Sequence, residues 1–239
     1  MSGHSKWANI KRKKGINDKA KSKQFTKISR LITMAVLENN GVTNPDNNFK
    51  LRLAINQAHN ANMPKDGIVR AIEKGSGENK SNLKEVVYEA YAVHGVALII
   101  YATTDNVNRT SSEIRSILER GGGKLANQGA VSYLFRRCAV IDLDKAIHNE
   151  TEALSLAEKL SAYDIQDDEK NTTIYFPFAN IHILNELQKD YQINASPELC
   201  YQPLTKVTIE KTEDFEKVIS IINLLEEHED VHNVFANYD

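Results

Sequence analysis

The chain has 239 residues, of which 41% are hydrophobic and 26% are charged. This balance is typical of folded globular proteins, and the length exceeds that of a usual single domain, so we expect two or three domains rather than a disordered or fibrous chain. The longest uninterrupted apolar stretch, residues 96–102, is far shorter than the roughly 20 residues that span a bilayer, so no membrane segment is predicted.

The compartment is predicted from the opening residues and the cysteines. The first residues are polar and charged and contain no apolar leader. The two cysteines, Cys138 and Cys200, are too few for a disulfide framework and lack CxxC spacing. These features predict a cytoplasmic protein with free thiols.

Charges are distributed unevenly along the chain, although the net charge is only −2. Residues 1–74 hold 15 Lys and Arg against 5 Asp and Glu, a net charge of +10, whereas residues 75–239 hold 15 against 27, a net charge of −12. Such asymmetry is typical of a polyanion-binding module joined to an acidic body. Nucleic acid is therefore the first partner class to consider.

Residues 1–80 are predicted to form a small all-α domain. The first 24 residues carry eight cations against one carboxylate, and their mutual repulsion favours an extended or mobile segment when no partner is bound. Three amphipathic helices should follow, each bounded by glycine or proline: Phe25 to Gly41, a helix after Pro45, and Pro64 to Gly75.

A polar, glycine-containing connector over residues 75–82 predicts a domain boundary. Beyond it, strand and helix patterns predict an α+β domain made of two segments, 81–135 and 204–239. The last three elements are too few to fold alone, so they should complete the unit that begins at residue 81. The predicted elements are strands at Val86–Tyr91, Val96–Thr103 and Val131–Phe135, a helix at Val107–Arg120, a strand at Thr205–Glu210, a helix at Glu213–Glu227 and a strand at Val231–Phe235.

Residues 136–203 are predicted to form an inserted α+β domain. Its order of strand, helix, strand, strand, helix, strand matches the split βαβ arrangement of ferredoxin-like folds. The elements fall at Ala139–Leu143, Thr151–Leu160, Ile165 with its neighbours, Thr172–Phe176, Ile181–Tyr191 and Ala195–Tyr201. The predicted fold class is thus α+β with three domains: an all-α N-terminal helical domain followed by two ferredoxin-like α+β domains, one of them discontinuous.

The segment from His4 to Lys14 combines one tryptophan with a dense run of cations. Lys and Arg neutralise phosphates and release counterions, and an indole can stack on a base. The alternative is a solvated tail that its Trp anchors to the helical core, but binding is favoured because the whole domain is basic. The candidate nucleic-acid-binding residues are His4, Ser5, Lys6, Trp7, Asn9, Lys11, Arg12, Lys13, Lys14, Lys19, Lys21, Lys23, Asn108 and Arg109.

Four separated motifs resemble those of the YebC-type family, in the same order along the chain. They are HSKWANIK at residues 4–11, NMPKD at 62–66, TDNVNRT at 104–110 and HNVFAN at 232–237. The resemblance extends over essentially the full chain. Ala90, Ala92 and His94 stand where the family often has Gly or Pro, which affects only the turn before Gly95.

The resemblance implies a helical N-terminal domain and two α+β domains, one of them discontinuous. Bacterial members of the family are regarded as DNA-binding transcriptional regulators. A mitochondrial relative activates translation of a cytochrome oxidase subunit, and bacterial paralogues are linked to the ribosome. The implied target is therefore either DNA or RNA.

The segment Thr104 to Thr110 lies where a predicted strand gives way to a helix. Free N–H groups at such a place can hold a phosphate, with Asn108 and Arg109 as further donors. Alternatively the polar side chains only cap the helix, with Thr110 and Glu113 forming a capping box. Capping is the favoured interpretation.

Two strings that suggest enzymes fail on spacing. The glycine run before Lys124 lacks the first Gly and the Ser or Thr of a phosphate-binding loop, since Leu118 and Leu125 occupy those positions, and a turn is predicted. His228 to His232 matches HExxH, but only seven residues follow it to supply a third ligand. The segment should also leave a helix for a strand. No catalytic residue, metal site or cofactor is predicted.

The favoured hypothesis is a cytoplasmic, non-enzymatic regulator of gene expression that binds nucleic acid. A DNA-binding transcriptional regulator is placed ahead of a ribosome- or RNA-associated translation factor. No recognition helix with Arg, Asn or Gln at its start is evident, although Asn56 and Gln57 lie in the second helix, which keeps RNA open. A competing hypothesis is a protein-interaction scaffold whose basic tail docks on an acidic partner. Protein partners would meet the acidic α+β domains.

Overall fold

The structure is a computed structural model that describes residues 18–77, 82–188, 190–193 and 197–238. The chain divides into two compact units, the first made of residues 1–133 and 206–239 and the second of residues 134–205. The described helices are α1 (Asp18–Glu38), α2 (Phe49–Asn60), α3 (Lys65–Ser76), α4 (Val107–Arg120), α5 (Glu150–Lys159), α6 (Ile181–Leu187) and α7 (Thr212–Glu227). The described strands are β1 (Lys84–Tyr91), β2 (Ala97–Thr104), β3 (Lys124–Leu125), β4 (Phe135–Asp144), β5 (Asp164–Asp167), β6 (Asn171–Phe176), β7 (Glu198–Pro203) and β8 (Val231–Ala236).

Helix α1 packs against both α2 and α3. Its apolar stripe, with Ile28 and Ile32, meets Leu51 of α2 and Ile68 of α3 in one buried cluster. Each such side chain stabilises the fold by about 1.5–3 kcal/mol. The two helices approach closely at Gly75, where an added Cβ would lie 2.7 Å from the Val36 Cβ and 2.8 Å from the Thr33 carbonyl oxygen. Any side chain at residue 75 would therefore push α3 away from α1.

The motif at residues 62–66 forms the turn between α2 and α3. Asn62 has a φ of 58°, in the left-handed region that Asn tolerates better than most residues. Met63 is buried in the helical core, and Pro64 precedes the first residue of α3. The motif thus reverses the chain between two helices that both pack on α1.

Helix α1 begins at Asp18, so the predicted extended segment is wrong for residues 18–24. Residues 19–24 are mostly good helix formers. The repulsion among their lysines is also offset, because the ammonium groups of Lys23 and Lys27 donate to the carbonyl oxygens of Glu227 and Glu226 at the end of α7. Residues 1–17 lie outside the described residues.

The sheet of the first unit has the order β3-β1-β2-β8, and all neighbours are antiparallel. Helices α4 and α7 cover one face, where Ile114 and Leu118 of α4 and Ile222 of α7 join Leu98 and Ile100 of β2 in the core. The layering of two helices on four antiparallel strands is that of a ferredoxin-like unit. The chain order differs, because the hairpin β1–β2 lies in the centre.

The second unit follows the order β4–α5–β5–β6–α6–β7, with the sheet order β5-β6-β4-β7 and antiparallel neighbours throughout. This is the ferredoxin-like arrangement predicted for the inserted segment. The backbone N–H of Leu204 donates to the carbonyl oxygen of Leu134 at 2.8 Å, so the two ends of the unit are neighbours. Helix α6 ends at Leu187, short of the predicted Tyr191, and β7 begins at Glu198, whereas the predicted start, Ala195, lies outside the described residues.

The strand predicted at Val131–Phe135 is wrong. Residues 132–134 form a 3-10 turn, and β4 runs from Phe135 through the segment predicted as a separate strand. The cause is the buried carboxylate of Glu89 on β1, which accepts hydrogen bonds from the backbone N–H groups of Gly129, Val131 and Ser132 at 2.7, 2.6 and 2.9 Å. Burial by itself would raise the pKa of Glu89, but these three donors outweigh it and lower the pKa.

The strand predicted at Thr205–Glu210 is also wrong. The segment makes one isolated parallel bridge, between Val207 and Tyr238, and Val207 N donates to Asn237 O at 2.7 Å. Val207 and Ile209 pack against the core, so their alternation reflects packing rather than a ladder. Within the described residues, no helix combines the length and apolar character needed to cross a bilayer.

Candidate nucleic-acid interface

The predicted nucleic-acid-binding residues fall into three groups. The first group, His4, Ser5, Lys6, Trp7, Asn9, Lys11, Arg12, Lys13 and Lys14, lies outside the described residues. The second, Lys19, Lys21 and Lys23, belongs to the first turns of α1, where Lys21 and Lys23 are exposed. The third, Asn108 and Arg109, lies in the first turn of α4, and both residues are exposed.

Helix α1 is anchored to the rest of the first unit by a stripe of cations. Lys23, Lys27 and Arg30 are spaced four and three residues apart, so they share one face of the helix. Lys23 Nζ lies 3.4 Å from Glu227 O, and Lys27 Nζ lies 2.5 Å from Glu226 O. Cations at a helix C-terminus interact favourably with its dipole. Sequence reasoning assigned Lys23 to phosphate binding, whereas here it also holds α1 against α7.

The third anchor is an ion pair between Arg30 and Asp230, the residue that precedes β8. The Asp230 side chain is only 2% exposed. Its second oxygen accepts from the Thr110 hydroxyl at 2.5 Å and from Arg109 at 3.2 Å. Burial alone would raise the pKa of Asp230, but the hydroxyl of Thr110 and the charge of Arg30 outweigh it, so the pKa is lowered.

Thr104 completes this arrangement, which we call the Asp230 cluster (Arg30, Thr104, Arg109, Thr110 and Asp230). Its hydroxyl lies 2.7 Å from that of Thr110. Either hydroxyl can donate across this contact, and hydrogen bonds from both Thr110 and Thr104 lower the pKa of Asp230. The cluster therefore ties α1, the end of β2, the start of α4 and the start of β8 to one buried carboxylate.

Helix α4 is capped as the sequence suggested, but not by the predicted capping box. The N-cap is Asn106, whose side-chain oxygen accepts from Arg109 N at 3.1 Å. Thr110 instead faces Asp230, and Glu113 lies 2.7 Å from His228 Nε2. The box failed because both of its members have partners that are distant in sequence.

Arg109 is held by two carboxylates in this structure. It bonds Asp105 at 2.8 Å, across one helical turn, and Asp230 at 3.2 Å. An internal anion thus lies at the start of α4, where the sequence allowed a phosphate. Sequence reasoning missed Asp230, Arg30 and Lys27. One signal in the sequence was available. Asp230 lies just before the motif at residues 232–237, and Thr104 and Thr110 are the first and last residues of the motif at 104–110.

The structure also brings a partly buried histidine, His232, to the face of β8 near α1. The β2–β8 register shifts between Tyr101 and Ala102, which pair with Asn233 and Val231, and leaves His232 as the extra residue. Both of its ring nitrogens are buried without a hydrogen-bond partner among the described residues. Burial, together with the nearby charges of Lys27 and Arg30, lowers the pKa of His232 to about 3.

These pKa shifts predict that acid destabilises the first unit. His232 remains neutral in the fold down to about pH 3, whereas in the unfolded chain it binds a proton near its ordinary pKa of 6.5. Between these values the unfolded state binds the extra proton, so the free energy of unfolding should fall by up to about 1.4 kcal/mol per pH unit as pH decreases. The lowered pKa of Asp230 adds a loss of the same sign at lower pH.

Urea unfolding followed between pH 7 and 4 measures this dependence. His232→Phe is the matched control, because it keeps a ring beside Tyr101, 5.7 Å away between centroids, and removes the titrating group. In the variant, the free energy of unfolding should depend less steeply on pH, by an amount that corresponds to the uptake of nearly one proton fewer on unfolding. If the free energy of unfolding depends equally on pH in the wild type and in His232→Phe, His232 is not the group that makes the first unit sensitive to acid.

The HExxH string does not form a metal site in this fold. His228 is the C-cap of α7 and accepts from the backbone N–H of Asp230 at 3.1 Å through Nδ1, whereas His232 lies in β8. Within the described ranges, no group of three or more His, Cys, Asp or Glu side chains is arranged to hold a metal. The glycine run after α4 forms the predicted turn, with Gly122 at a φ of 79°.

Comparisons with known proteins match both parts of the chain. Residues 5–78 match the model of the TACO1/YebC protein N-terminal domain, and residues 83–238 match that of the TACO1/YebC second and third domain. Proteins of Borrelia duttonii and Brachyspira hyodysenteriae, each named a probable transcriptional regulatory protein, are 42% identical over all of this chain and 98% and 97% of their own lengths.

A solved structure is also similar. The crystal structure of a conserved hypothetical protein from Aquifex aeolicus is 39% identical, with a TM-score of 0.82 over 91% of this chain and 90% of its own. The motifs, the domain matches and this structural similarity agree from the N-terminal helices to the closing strand. The chain therefore belongs to the TACO1/YebC family.

Proposed function

We propose that this chain is a non-enzymatic regulator of gene expression that binds nucleic acid through the phosphate contacts of its basic N-terminal segment. Its relatives are named probable transcriptional regulatory proteins, which supports a regulatory role. Duplex DNA is the first candidate target. Binding at phosphates would neutralise cations that otherwise repel each other and would release condensed counterions.

The observation that carries this proposal is the anchoring of α1. Lys27, Arg30 and, in part, Lys23 are used to fix the helix on α7 and Asp230. Lys21 is exposed, and in the sequence five cations between Lys6 and Lys14 precede the helix with no carboxylate among them. Because α1 is anchored to the first unit, a nucleic acid that binds the cations preceding the helix is also held close to the first unit.

Phosphate contact without base reading is favoured by the outer face of α3. Helices α2 and α3 are joined by a short turn, as in a helix-turn-helix. The exposed side chains of α3 alternate in sign, however, with Lys65 and Arg70 among Asp66 and Glu73. Carboxylates next to the backbone phosphates of a groove are unfavourable, so this helix is a poor groove reader.

The same observation favours a second candidate, a translation factor that binds ribosomal RNA. RNA duplexes are recognised mostly by shape and phosphate contacts rather than by base edges in a deep groove. A basic segment that contacts phosphates, without a helix that recognises base edges, suits the binding of RNA as well as that of DNA. The acidic second unit, with 6 Lys and Arg against 12 Asp and Glu over residues 134–205, is a candidate surface for protein partners.

The test is the salt dependence of binding by the full chain. If about five phosphates are contacted, the affinity for duplex DNA should fall with a log–log salt slope near −4 to −5. Parallel titrations with a ribosomal RNA fragment and intact ribosomes compare the two candidate targets. A chain that binds none of the three at low salt contradicts the proposal. Binding only to acidic proteins would favour the scaffold hypothesis instead.

A further inference from the structure

Two thiols face each other inside the second unit. Cys138 on β4 is the direct antiparallel partner of Cys200 on β7, which is an edge strand of its sheet. Cys138 is completely buried and Cys200 is 6% exposed, and both are thiols rather than halves of a disulfide. The Cys138 thiol donates to the carbonyl oxygen of Cys200, with Sγ 3.7 Å from that oxygen. Nothing in the predicted function uses either residue.

The separation of the two residues is close to that of a disulfide. Side chains directly opposite each other in antiparallel strands have Cβ atoms about 4.5–5.5 Å apart, whereas a disulfide needs about 3.8 Å. Strand β7 is hydrogen-bonded to β4 on one side only. It can therefore move towards β4 by the roughly 1 Å that separates the two Cβ distances without breaking hydrogen bonds to another strand. Bond formation requires a small movement of the edge strand.

The surroundings lower the pKa of the Cys138 thiol. Its contact with the Cys200 thiol lowers the pKa most, burial opposes this, and the backbone N–H of Gln202 and the positive charge of Arg136 lower it further. Arg136 is two residues away on the same strand, so its side chain starts from the same face of the sheet. The thiolate is the nucleophilic form of cysteine, so oxidation should begin at Cys138 when a movement of the edge strand β7 admits the oxidant to this buried thiol.

We propose that Cys138 and Cys200 are a redox modification site, which a hydroperoxide converts into an intramolecular disulfide. The Cys138 thiolate attacks one peroxide oxygen, the O–O bond breaks, and a sulfenic acid forms with the release of one water from hydrogen peroxide. The Cys200 sulfur then attacks the Cys138 sulfur and expels a second water. The two thiols lose two electrons and two hydrogens, and the peroxide gains them.

The product is a reversible link rather than a permanent one. A disulfide that draws two strands closer than their resting separation is strained and therefore easily reduced by thiols. The residues are 62 positions apart and lie near the beginning and end of the second unit. The bond would enclose almost the whole unit in one covalent loop, which limits its unfolded state. This site is independent of the proposed nucleic-acid binding.

The experiment treats the purified full-length protein with a few equivalents of hydrogen peroxide under native conditions. The intact mass should fall by about 2 Da, the mass of two hydrogens, and dithiothreitol should restore it. Peptide mapping without reduction should join the peptides that contain Cys138 and Cys200. The thermal midpoint of the second unit should rise by roughly 5 °C or more.

Single variants distinguish this route from general oxidation. Cys200→Ser should stop at a sulfenic acid that dimedone traps on Cys138, and Cys138→Ser should form neither product. Three results would overturn the proposal: a native chain that keeps both thiols, a chain that only gains oxygen, or disulfides found only between two chains.

Discussion

Replacing Asp230 with alanine should lower the free energy of unfolding of the first unit by about 3–5 kcal/mol. The Asp230 side chain is almost completely buried and is the shared acceptor for Arg30, Arg109 and Thr110. Its removal leaves the guanidinium group of Arg30 partly buried without its carboxylate. Urea unfolding followed by circular dichroism measures the loss, and hydrogen exchange locates it.

The matched control is Asp105→Ala, which removes the other carboxylate of Arg109. That side chain is 57% exposed, so its loss should cost less than about 1 kcal/mol. In Asp230→Ala, the amides of α1 and β8 should exchange faster, while those of the second unit should keep their rates. A variant as stable as the control would mean that the Asp230 cluster does not hold α1 in place.

Replacing Lys11, Arg12, Lys13 and Lys14 with alanine should flatten the salt dependence of nucleic-acid binding. Each neutralised phosphate contributes about −0.9 to the log–log slope on duplex DNA, so the slope should move from near −4 or −5 to near −1. The affinity at low salt should fall by about 100- to 1000-fold for the loss of several charge contacts. Fluorescence anisotropy at several salt concentrations measures both quantities.

The control for this variant removes cations elsewhere in the same unit. Lys65, Arg70 and Lys74 are exposed on α3, and their replacement with alanine lowers the net charge while it leaves the N-terminal segment intact. The slope of the control should stay close to that of the wild type. If the log–log slope of affinity against salt concentration flattens equally in both variants, the net charge rather than the N-terminal segment determines binding.

The sequence was sufficient for the parts of the fold that have a local pattern. The apolar stripes of α1, α2 and α4 follow the helical period, and the glycine and proline boundaries agree with the observed ends to within a few residues. The βαββαβ order of the inserted unit was predictable because each element is long enough to show its period. The family resemblance placed the motifs, and two of them, at residues 62–66 and 104–110, form chain turns and helix caps.

Sequence reasoning failed where a partner distant in the chain decides the local structure. The backbone of residues 129–132 bonds Glu89, about 40 residues away, instead of forming a strand. The contact of Arg30 with Asp230 joins residues 200 positions apart, and no spacing rule indicates it. Strand β3 has two residues, too few for any pattern. Residues 18–24 were predicted to be extended because their lysines repel each other, but the carbonyl oxygens at the end of α7 accept hydrogen bonds from Lys23 and Lys27.

The order of the strands in the first sheet has a consequence for synthesis on the ribosome. Strand β2 pairs with β8, so that Leu98 lies opposite Ala236, which is 138 positions later in the chain. All residues of the second unit are translated before β8 emerges, and until then one edge of the most apolar strand stays unpaired. Exposed edges of this kind recruit other chains. We therefore expect a nascent or truncated chain that lacks β8 to aggregate more readily than a chain in which this edge is paired.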